Sequence, residues 1–359
     1  MVHISKRLRM PVAQAMAVRL GAIALALLVC GIITTLTTGL NPLDVYASMF
    51  DGAFGTERKF WVMLKEVAVL LCVSLALTPA FRMRFWNLGG EGQVLMGALV
   101  TAACMINLAD LVPEGLLFVL MLVLAPVAGA LWAAIPALFK ARWNTNETLF
   151  TLMMNYVATQ LVAYSIIKWE SSKGSGKVGV INQSSNVGWL PAIGDNKYLL
   201  IVLLVALVCV AMYVYLAHSK HGFEIAVVGE SVDTARYLGI KVNRVIVRTL
   251  LLSGAVCGFT GFLLVSGADH TITTTLAGGA GFTGVMVAWL AKFNPFAMIG
   301  SSFLLVFMEM GADEISTAFG LNHGFGDILT GVILFFIIGS EFFINYKLNF
   351  QAKEVEAHV

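Results

Sequence analysis

Long apolar segments recur along the whole chain and constrain its fold more than any other feature of the sequence. Several are long enough to cross the hydrocarbon core of a bilayer, about 30 Å thick, as a single helix. Apolar residues make up 58% of the chain and charged residues only 12%, whereas a soluble domain carries about 25% charge. Backbone polar groups inside a bilayer must bond to one another, which a helix achieves within one segment. The sequence therefore predicts an all-α, polytopic membrane protein.

About ten spans are expected, joined by polar loops. They cover approximately residues 20–40, 60–80, 91–108, 115–139, 147–169, 198–217, 245–266, 281–291, 295–312 and 325–342. The short segments 281–291 and 295–312 could instead form one re-entrant pair. Basic residues concentrate in cytoplasmic loops, and their distribution here predicts that both termini lie in the cytoplasm.

The longest polar run between two apolar segments covers residues 218–248, and the same charge rule makes it a cytoplasmic loop. Ser231 is a candidate cap for a short helix from about Val232 to Leu238, and Gly239 is a candidate stop. A short, rigid helix at the membrane surface would suit the docking of a cytoplasmic partner. The alternative is an ordinary solvated loop.

Two glycine-rich signatures open two of the spans. Residues 87–93 read NLGGEGQ and residues 278–284 read GGAGFTG, so both contain G-G-x-G before an apolar segment. The two G-G-x-G patterns begin at Gly89 and Gly278, 189 residues apart (278 − 89), and on the expected topology the two segments that follow run in opposite directions. Inverted repeats with glycine-interrupted segments are typical of transporters that bind their solute near the bilayer midplane. A chance match in a glycine-rich chain is the alternative.

Polar and aromatic side chains around these signatures are the candidates for lining a solute path. A polar group in hydrocarbon is costly unless it faces water or a partner. The candidates are Asn87, Glu91, Gln93, Asn155, Phe282 and Thr283. The alternatives are structural: Glu91 would cap its own helix, Asn155 would bond to another helix, and Phe282 and Thr283 would pack.

Several function classes find no support in the sequence. No Walker A motif, zinc-like Cys/His spacing or nucleophile elbow is present, so we predict no catalytic residue, no metal and no cofactor in this chain. The net charge of +2 gives no reason to expect nucleic acid. An ion-coupled transporter would need an intramembrane carboxylate relay. Glu66, Glu91 and Glu309 are candidates, and we expect them to lack a basic partner, which argues against that class.

Four blocks of the sequence resemble the permease subunits of ABC importers, in the family that carries nucleosides, ribose-type sugars and branched-chain amino acids. The blocks are FRMRFWNLGGEGQVLMGA, NTNETLFTLMMNYVA, GFEIAVVGESVDTARYLGIKVNRV with the following LLSGAVCGFTGFLLVSG, and GGAGFTGVMVAWLAKFNPFAM. The resemblance extends over about residues 60–340. It implies a type II importer permease with inverted repeats, in which residues 1–359 form a single transmembrane domain of the bacterial inner membrane.

The resemblance also implies partners and roles. Two permease subunits, identical or paralogous, would pair, two ATPase subunits would bind ATP, and an external binding protein would deliver a small solute. Residues 218–248 would be the coupling loop. Its expected contacts with the ATPase are Glu230, Ser231, Asp233, Ala235, Arg236, Tyr237 and Gly239. The segment 41–55 resembles the nucleoside branch, and a ribose- or galactose-type sugar is the alternative solute.

Overall fold

The structure is a computed structural model that describes residues 2–7, 10–194 and 196–350. Helices dominate the described residues, and one antiparallel pair joins strands β1 (Val2–Lys6) and β2 (Tyr346–Phe350). The helices are α1 (Val12–Thr38), α2 (Pro42–Phe54), α3 (Glu57–Arg82), α4 (Gly90–Asn107), α5 (Glu114–Trp143), α6 (Glu147–Trp169), α7 (Leu199–His218), α8 (Lys220–Glu230), α9 (Val232–Tyr237), α10 (Val242–Phe262), α11 (Ala280–Leu290), α12 (Pro295–Phe319) and α13 (His323–Asn345). A π-helical turn, Leu263–Asp269, continues α10.

Eight of the described helices are long and apolar enough to cross a membrane: α1, α3, α5, α6, α7, α10 with its π-helical end, α12 and α13. The prediction of an all-α, polytopic membrane protein is therefore confirmed. Two of the about ten expected spans are not among these eight described helices. One is α11, which has 11 residues and is about 16 Å long, well short of the thickness of the hydrocarbon core. The other is α4, whose 18 residues include the polar side chains of Glu91 and Gln93.

The segment expected to be short, residues 295–312, is in fact the 25-residue helix α12. The helix continues beyond residue 312 through Asp313 and Glu314 to Phe319. Lys59 pairs with Glu314 at 2.9 Å, which compensates part of the cost of a carboxylate there. Because α12 can span by itself, the structure favours a short helix followed by a span over a re-entrant pair.

The polar run 218–248 is mainly helical, whereas the sequence predicted a loop with one short helix. Helix α8 precedes α9, and α10 begins at Val242 rather than at Val245. Ser219 caps α8, because its Oγ accepts a hydrogen bond from the Gly222 N–H at 3.0 Å. Ile225 and Val228 bury one side of the helix. These buried positions, three apart, were obscured by the many charges of the segment.

The chain divides into two compact units. One comprises Met1–Phe60 with Phe307–Val359, and the other comprises Trp61–Val306. In the described part of the first unit, α1 packs against α13, and Arg19 on α1 pairs with Glu341 on α13 at 2.5 Å. A single transmembrane domain over residues 1–359 stays a prediction.

Helices α4, α5 and α10 form the centre of the second unit, and glycines let their backbones touch. A Cβ atom added at Gly129 of α5 would overlap the carbonyl oxygen of Gly254 on α10, and one at Gly97 of α4 would overlap that of Gly258. Small residues at helix contacts permit this approach, which replaces the hydrophobic driving force that lipid does not supply. The three helices therefore form one tightly packed group.

Adding a methyl group at this contact should destabilise the protein. We expect Gly129→Ala to cost about 1–3 kcal/mol, because the new atom forces the helices apart, and to lower the melting temperature in detergent. The control is Gly115→Ala on the same helix, where an added Cβ meets nothing within 4 Å and alanine has the better helix propensity. Equal melting temperatures for the two variants would contradict the close contact.

Candidate functional site

The two glycine signatures meet in space, and one side chain joins them. The carboxylate of Glu91, in the first turn of α4, accepts hydrogen bonds from the N–H groups of Gly279 and Gly281, each at 3.0 Å. These donors lie at the start of α11 and are 188 and 190 residues away in sequence. Free N–H groups and the helix dipole make a helix start favourable for a carboxylate. Glu91 therefore caps α11, not its own helix as the structural alternative supposed.

Glycines are needed on both sides of this contact. A Cβ atom at Gly281 would overlap the backbone nitrogen of Glu91, and one at Gly90 would lie 3.4 Å from the Gly281 Cα atom. Gly279 has a φ of 77°, a conformation that glycine adopts without steric cost. The two signatures thus let the start of α4 and the start of α11 touch with no side chain between them.

A buried polar cluster holds the chain just before α4. The Asn87 side chain is fully buried, and its Oδ1 accepts hydrogen bonds from the Gly89 N–H at 3.0 Å and from Gln93 Nε2 at 3.2 Å. Its Nδ2 donates to Ser253 Oγ on α10 at 3.2 Å. Asn87 and Gln93 are thereby engaged within the chain, although Gln93 Oε1 is buried without a partner among the described residues.

Asn155 fastens the same segment to α6. Its Oδ1 accepts from the Gly92 N–H at 2.9 Å, and its Nδ2 donates to the Leu88 carbonyl at 2.8 Å. Thr151, one turn earlier, accepts from the Leu88 N–H at 3.2 Å. An amide inside an apolar segment needs hydrogen-bond partners, and these bonds to a neighbouring helix supply them. Of the two roles left open for Asn155, the structure shows the interhelical bond.

The exposed part of the site lies on α11 and beside it. Phe282 is 45% exposed, and Thr283 is half-buried with its hydroxyl donating to the Gly279 carbonyl at 3.3 Å. Trp289, two turns further on, stacks on Trp86 with ring centroids 5.6 Å apart, and both rings are exposed. The sequence reasoning missed these two tryptophans. Their signal was the position of each beside a glycine signature, in FWNLGG and in VMVAWL.

The six predicted path residues therefore separate into two groups. Asn87, Gln93 and Asn155 are buried and hold backbone in place, whereas Glu91, Phe282 and Thr283 keep part of their surface accessible. The structure brings all six to the region where α4 and α11 begin. Whether any of them contacts a solute stays a prediction.

The expectation that the intramembrane carboxylates lack a basic partner was wrong for Glu66. Lys65 Nζ lies 2.5 Å from Glu66 and 4.0 Å from Asp269, and the Lys65 side chain is only 9% exposed. Glu91 is engaged by backbone N–H groups instead, as described above. Glu66 and Glu91 are therefore both engaged within the second unit.

A cavity of about 940 Å³ is lined in part by Asp269, the last residue of the π-helical turn that continues α10. Its walls include Glu114, Lys197, Trp189 and His270, and the last two rings stack with centroids 3.6 Å apart. Burial, and then the charge of Lys197, lower the pKa of His270 below its usual value. The imidazole is therefore neutral at pH 7.

The predicted coupling segment has the caps expected of it. Ser231 Oγ accepts from the Thr234 N–H at 3.2 Å, and Gly239 ends the segment with a φ of 77°. Arg236 and Tyr237 project outward, Tyr237 with 92% of its surface exposed, and Arg236 pairs with Asp233 at 3.4 Å. The caps are confirmed, and the contact with a partner stays a prediction.

Ala235 differs from the rest of the predicted coupling residues, because its side chain is fully buried. It lies in a cluster with Phe85, Val228 and Val242 inside this chain. The end of α8 is also close to α3, since a Cβ atom added at Gly229 would overlap the carbonyl oxygen of Arg82. Ala235 therefore anchors α9 to the membrane helices and does not present its methyl group to a partner.

Comparison with known proteins places this chain among transport proteins. Residues 62–338 match the family described as branched-chain amino acid transport system, permease component. The guanosine ABC transporter permease protein NupP of Bacillus subtilis is 30% identical over 87% of this chain and 90% of its own length. The nucleoside ABC transporter permease protein NupB of Lactococcus lactis is 27% identical over 91% of each chain. The glucose ABC transporter permease protein TsgB13 of Haloferax volcanii is 28% identical over 90% of this chain and 88% of its own. No solved structure matches the chain significantly.

Removing the Glu91 carboxylate should loosen α11. We expect Glu91→Leu to cost about 1–3 kcal/mol of stability, because two N–H groups lose their acceptor, and to speed hydrogen exchange at Gly279 and Gly281. Glu91→Gln keeps one acceptor oxygen and should fall between. Glu114→Leu, in the first turn of α5, is the control, since its side chain is exposed. Unchanged exchange at both glycines in Glu91→Leu would show that the cap is dispensable.

Proposed function

We propose that this chain, which belongs to the permease-component family of branched-chain amino acid transport systems, forms the membrane path of an ATP-driven importer for nucleosides. The observation that carries the choice of solute is the 30% identity to the guanosine permease over nearly the full length of both chains. The nucleoside permease of similar coverage supports the same choice. The exposed aromatic rings beside α11 add a physical reason, because planar bases stack on such rings.

A simple sugar is the second candidate solute, since the glucose permease relative covers the chain equally well. A sugar would need mainly hydrogen-bonding partners, whereas Phe282, Trp86 and Trp289 offer flat apolar faces. Sugars also stack on aromatic rings through their C–H faces, so the rings favour a nucleoside without excluding a sugar. The choice between them is decided by uptake.

We infer that the chain supplies no ATP hydrolysis and that ATPase subunits bind at α8 and α9. Arg236 provides a planar charged group and Tyr237 an exposed aromatic ring, the residue types that carry much of the binding energy at protein interfaces. Glu230 and Asp233 are exposed beside them. On this proposal the segment faces the cytoplasm together with both termini. A second permease subunit pairs within the membrane, and a binding protein docks at the opposite end.

The packing of α9 suggests how a movement of the ATPase reaches the path. Ala235 and Phe85 belong to one buried cluster, and Phe85 is two residues before Asn87. Asn87 and Asn155 fix the start of α4, where Glu91 holds α11. A push on α9 is thus passed through contiguous packed and hydrogen-bonded groups to the start of α11.

Uptake in cells tests the solute. The permease, co-expressed with its ATPase and binding protein in a strain that lacks other nucleoside importers, should take up labelled guanosine. Excess unlabelled adenosine should compete, and excess ribose or glucose should not. Uptake of labelled sugar that nucleosides leave unaffected would replace the nucleoside proposal with the sugar.

A change of the exposed residues of α9 should uncouple the importer. We expect Arg236→Glu to weaken binding of the ATPase roughly thirtyfold, corresponding to about 2 kcal/mol, and to reduce uptake while the permease still inserts. Lys173→Glu is the control, because it reverses an exposed charge in the long loop before α7. Co-purification with the ATPase measures the effect, and retention of wild-type binding by Arg236→Glu would assign the ATPase contact elsewhere.

A further inference from the structure

A groove between the end of α5 and the start of α10 combines an apolar floor with a basic rim. Its volume is about 650 Å³. The floor is formed by Leu138 and Phe139 of α5 and by Val247 and Leu251 of α10. Both helices are long and apolar enough to cross a membrane, and the floor lies at the last turns of α5 and the first turns of α10.

Three arginines line the edge of the groove, and two of them have no acidic partner in the described part of the chain. Arg142 and Arg244 are exposed and form no ion pair with any residue that the structure describes. Arg248 pairs with Glu224 at 2.5 Å, yet its Nε is buried and has no acceptor within the described chain. The rim therefore carries excess positive charge, and the buried N–H of Arg248 Nε is free to donate to a ligand.

Two further features fit the same ligand. The first turn of α10 adds its positive dipole end, and Lys241 at the N-cap makes no side-chain cap hydrogen bond. Trp143, 62% exposed, adjoins the groove, with Arg142 5.8 Å from its ring centroid. Exposed tryptophan at the end of a span is typical of the lipid headgroup level.

We propose that this groove binds an anionic phospholipid. The phosphate of its headgroup lies between Arg142 and Arg244, with Arg248 behind it, and an acyl chain lies along Leu138 and Leu251. Basic pockets between membrane helices bind such headgroups on the cytoplasmic side. A soluble phosphate would gain nothing from the apolar floor, and the floor distinguishes this groove from the polar surface of α9. The proposal does not depend on which solute is carried.

Lipid binding to the purified, delipidated full-length permease tests the proposal directly. We expect phosphatidylglycerol to stay bound in native mass spectrometry under conditions that strip phosphatidylcholine. In Arg142→Gln/Arg244→Gln, affinity for phosphatidylglycerol should fall roughly thirtyfold, because each basic residue near an anionic lipid contributes about a fivefold factor. The control Lys173→Gln/Lys177→Gln removes the same charge from exposed positions elsewhere and should retain binding. Equal losses in the two double variants would overturn a specific site.

The position of the lipid is tested by Trp143. Brominated phosphatidylglycerol should quench the fluorescence that disappears in Trp143→Phe, and brominated phosphatidylcholine should quench it far less. Equal quenching by both lipids would mean that Trp143 meets only bulk lipid and would overturn the proposal. If the arginine double variant loses binding of the ATPase but keeps phosphatidylglycerol, the groove is a protein contact and the lipid proposal is wrong.

Discussion

The bond between the Glu91 carboxylate and the first N–H groups of α11 is the interaction on which the site depends. A helix of 11 residues is marginal by itself in water, and inside a membrane its unpaired N–H groups would each be costly. Glu91 satisfies two of them at 3.0 Å. The bare contact of Gly90 and Gly281 makes this reach possible. Position and stability of α11 are therefore set by a residue of α4.

The Glu91 bond in turn depends on a frame of neutral polar groups. Asn87 accepts from the Gly89 N–H before α4 and donates to Ser253 on α10. Asn155, on α6, accepts from the Gly92 N–H in the first turn of α4 and donates to the Leu88 carbonyl before it. Amides suit this purpose, because one side chain both donates and accepts. The frame orients Glu91 without placing a second charge nearby. The site is thus built from the Glu91 carboxylate, the side-chain amides of Asn87, Gln93 and Asn155, and the glycines that let backbones meet.

The sequence predicted the type of fold, the glycine signatures and the caps at Ser231 and Gly239, because each follows from local composition or backbone conformation. It also predicted that Asn155 either bonds to another helix or lines the path, since an unpaired amide in an apolar segment is costly. It did not show that the partners of Asn155 are the backbone groups of Leu88 and Gly92, because that depends on how α6 approaches α4. Lys65 was overlooked as a partner of Glu66, because consecutive helical residues point in different directions and only the length of the lysine side chain closes the distance. Helix α8 was missed because its charges masked two buried positions.

The glycine contacts among α4, α5 and α10 have a mechanical consequence. Helices that meet through interlocked side chains shift relative to one another by changing rotamers, but Gly97, Gly129, Gly254 and Gly258 have no rotamers to change. Any sliding at these contacts brings carbonyl oxygens against Cα atoms almost at once. The three helices are therefore expected to move as one rigid body when the permease changes conformation. Helix α11 meets this group at a contact of the same kind, because a Cβ atom at Gly281 would overlap the backbone nitrogen of Glu91, so the start of α11 is expected to move together with α4.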